Sequence, residues 1–222
     1  MARILGTVTI GQSPRVDLIP EIRKILGEDV TIVEAGALDG MTLDEVRQIF
    51  PGPGDQVLVT RMADGTAVKI AEKHILERMQ AQIDRLVEQG AEVVALVCTG
   101  KFPEFRCSRL LVKPQKVLYH STAAVASGLR LGVLVPDQDQ IAGAQERWRG
   151  AAQCVKAEAA SPYGEPGAVQ EAASRLKAWG ADIVVMDCIG YTLAMKESVK
   201  GVTGKPVILA RSILARVLAE LL

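Results

Sequence analysis

The sequence predicts an α/β protein made of two related lobes with mostly parallel sheets, the first carrying an added β-hairpin. Three observations predict it. Short β-branched runs alternate with longer periodic segments, the pattern of repeated βα units. The chain is 49% hydrophobic but only 4% aromatic, so its core is aliphatic, as in buried parallel strands. Third, Gly90–Gly100, GAEVVALVCTG, aligns without gaps on Gly180–Gly190, GADIVVMDCIG, with five of the eleven positions identical.

The elements follow in order. Ile4 to Ile10 reads as a first strand, and Gly11-Gln12-Ser13-Pro14 turns into a helix of about ten residues that ends near Gly27. Val30 to Glu34 is a second strand. Thr42 with Glu45 three residues on is a capping box for a short helix reaching Phe50. After the break at Pro51-Gly52-Pro53-Gly54, Val57–Met62 and Ala67–Ile70 flank Asp64-Gly65 as a hairpin, the one antiparallel feature expected. A helix from Glu72 to Gln89 places Ile75, Met79, Ile83, Leu86 and Val87 on one face, with Gly90 as its stop. Glu92 to Val97 is a buried strand. In the second half, Leu131–Val135, Asp182–Asp187 and Pro206–Leu209 read as strands, and 138–149 and 169–179 as helices. A terminal helix carries Ile213, Val217 and Leu221 on one stripe. A fainter echo pairs Gly6–Gly11 with Leu131–Pro136, 125 positions apart. The reading is a first lobe over 1–112, completed by the terminal helix 210–222, a second lobe over 113–209, and a cleft between them.

Lys+Arg and Asp+Glu are both 26 of 222 residues. With no basic run, nucleic acid is not expected as a partner. No apolar stretch approaches the roughly 20 residues that span a bilayer, so no membrane is expected either. The first ten residues lack the pattern of a signal peptide. The expectation is a cytoplasmic protein whose Cys98, Cys107, Cys154 and Cys188 are free thiols. No Cys/His group has metal-ligand spacing, and neither metal nor cofactor is expected. Gly100-Lys101 and Gly204-Lys205 lack the spacing of a phosphate loop. His74 reads as a surface residue, and His120, with no Asp at an interpretable spacing, as a structural one. Self-association into a homo-oligomer is left open.

In open parallel sheets, ligands bind beyond the carboxyl ends of the strands. The repeat delivers one cysteine, Cys98 or Cys188, to that edge in each lobe. Each is followed by small or hydroxyl residues, Thr99-Gly100 and Ile189-Gly190. Backbone N–H groups at such a turn favour a thiolate and can hold a carboxylate. Two thiols facing one substrate from opposite sides are what a cofactor-independent racemase needs, one removing a proton from a carbon acid and the other returning one to the opposite face. Cys107 and Cys154 read as packing residues. Gln12, Ser13 and Arg15 follow the first strand at the same edge, and an anion there would offset Arg15 near a helix N-terminus. Arg61 in the hairpin, and Tyr191 and Thr192 after Cys188, complete the candidate set.

These segments resemble the AroM family, itself similar to the aspartate/glutamate/hydantoin racemase superfamily. The residues that carry the resemblance are TIGQSPR at Thr9–Arg15, VTRMADG at Val59–Gly65, VCTGKFP at Val97–Pro103, MDCIGYT at Met186–Thr192, and the tail LARSILARVLAELL from Leu209. The resemblance implies two Rossmann-like lobes and a racemase-like site between them. It implies Cys98 and Cys188 as the acid/base pair, with carboxylate binding by residues after the first strand and beside the cysteines. The residues that flank the cysteines, Thr99-Gly100 and Asp187 with Ile189, differ from those usual in racemases. The expected function is a racemase, epimerase or isomerase acting on a small carboxylated carbon acid, with a decarboxylase as a near relative. The alternative is a non-catalytic binding or regulatory protein on the same scaffold.

Overall fold

The computed structural model describes residues 3–222. The chain packs as two units. One runs up to Pro114 and takes in Leu218–Leu222; the other is Gln115–Val217.

In the first unit, β1 (Arg3–Thr9), β2 (Val30–Gly36), β5 (Val93–Leu96) and β6 (Leu110–Val112) form a sheet in the order β2-β1-β5-β6. All its pairings are parallel. Helix α1 (Ile19–Leu26) links β1 to β2, and the short α2 (Leu43–Arg47) starts at the expected capping box. The Thr42 hydroxyl accepts the Glu45 N–H at 3.3 Å, and the Glu45 carboxylate accepts the Thr42 N–H at 2.7 Å. Strands β3 (Val57–Arg61) and β4 (Ala67–Ala71) pair antiparallel as the expected hairpin. Gly65 takes φ +88° at its turn, a conformation that a Cβ would oppose. The helix expected from Glu72 is divided into a single 3₁₀ turn, Glu72–His74, and α3 (Leu76–Glu88). Helix α3 buries Met79, Ile83 and Leu86 against an aliphatic core that includes Val8, Ile10, Val94 and Leu96.

The second unit repeats this plan. After α4 (Pro114–Ala126) come β7 (Arg130–Val135), α5 (Ile141–Trp148), β8 (Cys154–Ala159), α6 (Ala168–Trp179), β9 (Ile183–Met186), α7 (Leu193–Thr203), β10 (Val207–Leu209) and α8 (Ala210–Leu221). The sheet order is β10-β9-β7-β8, again all parallel. Read from the other edge, β8-β7-β9-β10 matches β2-β1-β5-β6 strand for strand. The expected helix over 138–149 is α5 with a 3₁₀ turn at each end.

Strand register shows how far the duplication extends. Gly6 pairs with Val94 in the first sheet, and Gly132 with Val184 in the second. The repeat shift of 90 positions (Val94 to Val184) therefore holds in three dimensions. It also corrects the fainter echo: Gly6 corresponds to Gly132, a shift of 126 rather than 125. A one-residue error matters because it exchanges the two faces of a strand. The corrected frame explains the glycines. A Cβ at Gly6 would lie 3.1 Å from Leu86 and Ala91, and one at Gly132 would lie 3.0 Å from Leu176 and 3.3 Å from Ala181. Leu86 and Ala91 are themselves the repeat partners of Leu176 and Ala181, so each helix rests on a strand that has no side chain at the contact.

Candidate functional site

Both cysteines fall one residue beyond the anchored end of their strands. The Val97 N–H donates to the Val8 carbonyl at 2.8 Å, and the Asp187 N–H donates to the Leu134 carbonyl at 2.9 Å. The next residue is the cysteine in each case. The Gly100 N–H then points back to the Cys98 Sγ at 3.3 Å, and the Gly190 N–H to the Cys188 Sγ at 3.3 Å. The same turn is thus built twice, each with an N–H aimed at sulfur, a donor that favours the anionic form. Both thiols are half-buried, as is Cys107, whereas Cys154 is exposed.

The glycines of these turns are required by neighbours. A Cβ at Gly190 would stand 2.5 Å from the Tyr163 hydroxyl, and one at Gly100 would stand 3.0 Å from Leu58 and Phe102.

At the first unit's strand edge, the residues after β1 are held by the chain itself. The Gln12 side-chain amide donates to the carbonyls of Leu38 (3.1 Å) and Met41 (2.7 Å), and its oxygen accepts the Ala63 N–H at 2.8 Å. Gln12 therefore ties β1 to the turn after β2 and to the hairpin tip. The Ser13 N–H and hydroxyl both donate to Asp39 at 2.7 Å, and Asp39 also accepts the Gly36 N–H at 2.8 Å. Arg78 of α3 donates to the carbonyls of Ala37 and Asp39 and fixes the same turn from outside.

Arg15 is buried, with 4% exposure. The expectation that a ligand anion offsets its charge is corrected here, because the chain supplies the anion. Arg15 Nε and Nη2 donate to the two oxygens of Asp17 at 2.9 and 2.8 Å, and Nη1 donates to the Thr9 hydroxyl at 2.8 Å and the Thr60 hydroxyl at 3.4 Å. Burial raises the Asp17 pKa, but the Arg15 hydrogen bonds and charge, with a smaller contribution from the Arg61 charge, outweigh it and hold the carboxyl below its ordinary value. Arg61 is brought to this edge by the hairpin, and its carbonyl accepts the Gln12 N–H at 3.1 Å.

In the second unit, Asp187 stands where the first unit has Val97. It is 3% exposed and accepts Arg147 Nη2 at 2.5 Å and Trp148 Nε1 at 2.8 Å on one oxygen. Arg211, 2% exposed, donates Nε to the Ile189 carbonyl at 3.0 Å and Nη2 to the Gly190 carbonyl at 3.1 Å. Tyr191 was expected to hold a carboxylate. Instead it is fully buried, and its hydroxyl donates to the Ala160 carbonyl at 2.7 Å. Burial, with the charges of Cys188 and Asp187 adding to it, pushes its pKa well above 10.0. Tyr191 is a core residue under the turn. Thr192 caps α7, its hydroxyl oxygen accepting the Met195 N–H at 3.2 Å, which leaves the hydroxyl hydrogen to give. Thr99 is buried beside Cys98.

Gln12, Ser13, Arg15, Arg61, Cys98, Thr99 and Gly100 thus lie in one unit, and Cys188, Tyr191 and Thr192 in the other. Sequence reasoning missed Asp17, Asp39, the Arg147 and Trp148 partners of Asp187, and Arg211. One signal for Arg211 was available: a cation placed directly after the apolar run Val207–Ala210, one residue into the helix. Among the described residues there is no group of three His, Cys, Asp or Glu able to hold a metal ion, and no helix long and apolar enough to cross a membrane. His74 and His120 are exposed.

No curated protein sequence matches the chain. Solved structures match it in fold. A liganded double mutant of arylmalonate decarboxylase is 16% identical with a TM-score of 0.65, covering 98% of this chain and 92% of that one. Glutamate racemase from Aquifex pyrophilus is 14% identical with a TM-score of 0.62, covering 99% and 84%. The maleate isomerase Iso from Pseudomonas putida S16 is 13% identical with a TM-score of 0.60, covering 99% and 93%. At these identities the likeness is one of fold, an α/β architecture with parallel sheets. The sequence itself matches the AroM protein family over residues 5–222, and the chain belongs to that family.

Proposed function

We propose that the protein moves a proton on a small carboxylated carbon acid, as a racemase, epimerase or isomerase, using Cys98 and Cys188 as acid and base. One observation carries the reading. Two equivalent strands end in the same turn, and each turn aims a glycine N–H at a cysteine sulfur at 3.3 Å. Burial of a cysteine as core filler requires no such N–H, and a duplicated core has no reason to keep it twice. The kinds of enzyme that share the fold, racemases, an isomerase and a decarboxylase, support the same class of chemistry.

In this mechanism one sulfur is anionic and the other protonated. The thiolate takes the proton from the carbon next to the carboxylate, leaving the electron pair on an enediolate. The opposing thiol gives its proton to the other face of that carbon. The thiolate has become a thiol and the thiol a thiolate, so charge and protons balance without a cofactor. The mechanism requires both sulfurs to reach one carbon. A decarboxylase variant needs only the proton-giving half, with carbon dioxide as leaving group.

Solvent exchange tests the reading. The protein is incubated in D₂O with a panel of small carbon acids, such as 2-amino, 2-hydroxy and 2-aryl carboxylates, and the α-proton signal is followed by NMR. Loss of that signal with at least one member, abolished in Cys98→Ala and in Cys188→Ala, is the expected result. A ligand that binds with no exchange and no decarboxylation would favour the non-catalytic alternative and end the acid/base reading.

A further inference from the structure

We propose that Arg211 is a positioning residue that sets the charge state of Cys188, making Cys188 the resting thiolate and leaving Cys98 the proton-giving thiol. The proposal deepens the two-cysteine reading and rests on it for the assignment of roles.

The connection is one peptide group. Arg211 Nε donates to the Ile189 carbonyl at 3.0 Å. That carbonyl and the Gly190 N–H belong to the same peptide unit, and the Gly190 N–H donates to the Cys188 Sγ at 3.3 Å. The guanidinium, the peptide dipole and the sulfur therefore form one chain of donors and acceptors. A cation on the carbonyl end of a peptide polarises its N–H end, and such chains strengthen each member. Arg211 Nη2 donates to the next carbonyl, Gly190, at 3.1 Å, so the planar fork grips two successive carbonyls and fixes the plane of the peptide. Lysine offers no such fork. Arg211 is 2% exposed, and at that depth water screens its field weakly.

The other charged or titratable groups around this turn do not reverse the effect. Asp187, from the turn itself, is paired with Arg147 of α5 at 2.5 Å. Tyr191 keeps its proton, because burial pushes its ionisation well above 10.0. Tyr163, from the loop after β8, places its hydroxyl against Gly190.

The duplication provides an internal comparison. Val94 pairs with Leu111, and Val184 with Val207. The strand that precedes each following helix is thus shifted by 96 positions, and the helix starts, Pro114 and Ala210, keep that shift. Arg211 then corresponds to Gln115, a neutral amide. The N–H to sulfur contact is built twice, but a cation stands at this register in one copy alone. The asymmetry gives the two cysteines different resting states and gives the proton transfer a direction.

The test reads each cysteine separately and needs no substrate. Iodoacetamide alkylation of Cys98, Cys154 and Cys188 is followed by peptide mass spectrometry from pH 5 to 10, in the intact chain and in Arg211→Gln and Arg211→Lys. In the unaltered chain, Cys188 should react with a midpoint below that of exposed Cys154. In Arg211→Gln the Cys188 midpoint should rise by about one pH unit, an alkylation rate about tenfold lower at neutral pH. Arg211→Lys should recover part of that loss, and the Cys98 profile should stay in place. Should Arg211→Gln fail to fold, the lysine variant and the unaltered chain decide the question. A Cys188 midpoint at or above that of Cys154 overturns the proposal, as does an unmoved Cys188 profile in a folded variant or an equal shift at Cys98. Because alkylation is independent of turnover, the predicted profile with no deuterium exchange would defeat the catalytic reading while leaving the role of Arg211 standing.

Discussion

Arg15 and Asp17, two residues apart, form a two-point ion pair: Nε to Oδ1 at 2.9 Å and Nη2 to Oδ2 at 2.8 Å. The guanidinium is buried, while Asp17 keeps 23% of its side-chain surface exposed. The carboxylate therefore brings the solvent contact that lets Arg15 lie under the strand edge and hold Thr9 and Thr60 together. The pair joins the end of β1 to the hairpin, alongside the Gln12 bonds to Arg61 and Ala63.

Asp17→Asn should destabilise the protein by about 2–4 kcal/mol, because it takes the charge from the carboxylate that accepts two hydrogen bonds of a buried guanidinium. The effect has a pH signature. The Asp17 pKa is held below its ordinary 3.8 in the folded state. Its contribution is thus fully present above the unfolded-state value and is lost as pH falls through the folded one. Thermal unfolding from pH 7 down to pH 2.5 should show the gap between the parent chain and Asp17→Asn closing at the acid end. A gap that stays constant with pH would mean the ion pair is not its source.

Gly6 and Gly132 should respond alike to alanine. The added methyl would sit 3.1 Å from Leu86 in one unit and 3.0 Å from Leu176 in the other, closer than ordinary packing allows. Each substitution should cost about 1–3 kcal/mol through overpacking. Gly201 is the contrast: it lies inside α7 (Leu193–Thr203) with nothing within 4 Å of an added Cβ. Gly201→Ala should stabilise by up to about 1 kcal/mol from helix propensity alone. Urea titrations of the three variants check the set.

The βα alternation, the hairpin and the duplicated cysteine turn were all legible, because each rests on local periodicity or on a direct repeat. What escaped was hidden for definable reasons. Helix α4 (Pro114–Ala126) buries Pro114, Leu118, Thr122 and Ala126, a stripe with one large apolar residue and a threonine in it. Strand β8 (Cys154–Ala159) is an edge strand of the sequence CVKAEA, whose charges and small residues disguise its alternation. Strand β6 (Leu110–Val112) has three residues, too few for any period to register. At the site, residue types reveal which side chains can do chemistry but not which are already satisfied. Gln12 and Tyr191 looked available, and only the fold shows their hydrogen bonds going to Leu38, Met41, Ala63 and Ala160. Asp17 and Arg211 were overlooked for the converse reason, since their partners are fixed by the folded turn and not by spacing.

The four cysteines should separate into two classes. Cys98→Ser and Cys188→Ser should each lower deuterium exchange into a responsive carbon acid by at least about 10²–10⁴-fold, the usual worth of a positioned proton-transfer group. Cys107→Ser and Cys154→Ser should leave exchange within about twofold. Melting temperatures of all four should remain close to the parent, since a hydroxyl replaces a sulfur at half-buried or exposed sites. If Cys98→Ser and Cys188→Ser differ, with one retaining decarboxylation of a malonate-type acid, the single-thiol form of the mechanism is the one in use.

Tyr191 provides the sharpest separation of a structural from a binding role. Its hydroxyl donates to the Ala160 carbonyl at 2.7 Å in a fully buried setting. Tyr191→Phe removes that bond and leaves one carbonyl unsatisfied, a cost of about 1–3 kcal/mol. If the hydroxyl only props the turn, exchange by the folded variant should keep its KM and lose little in kcat. A residue that holds the substrate carboxylate would instead raise KM by tenfold or more. Alkali provides an independent check. Burial pushes the Tyr191 pKa well above the 10.0 that it takes when unfolded, so the folded state keeps a proton that the unfolded state gives up. The stability tied to this group is intact below pH 10 and is lost as pH rises beyond it. The parent chain should therefore lose stability above pH 10 more steeply than Tyr191→Phe, which has no phenol to ionise at that position. Parallel alkaline slopes in the two proteins would show that the buried hydroxyl does not govern the turn beneath Cys188.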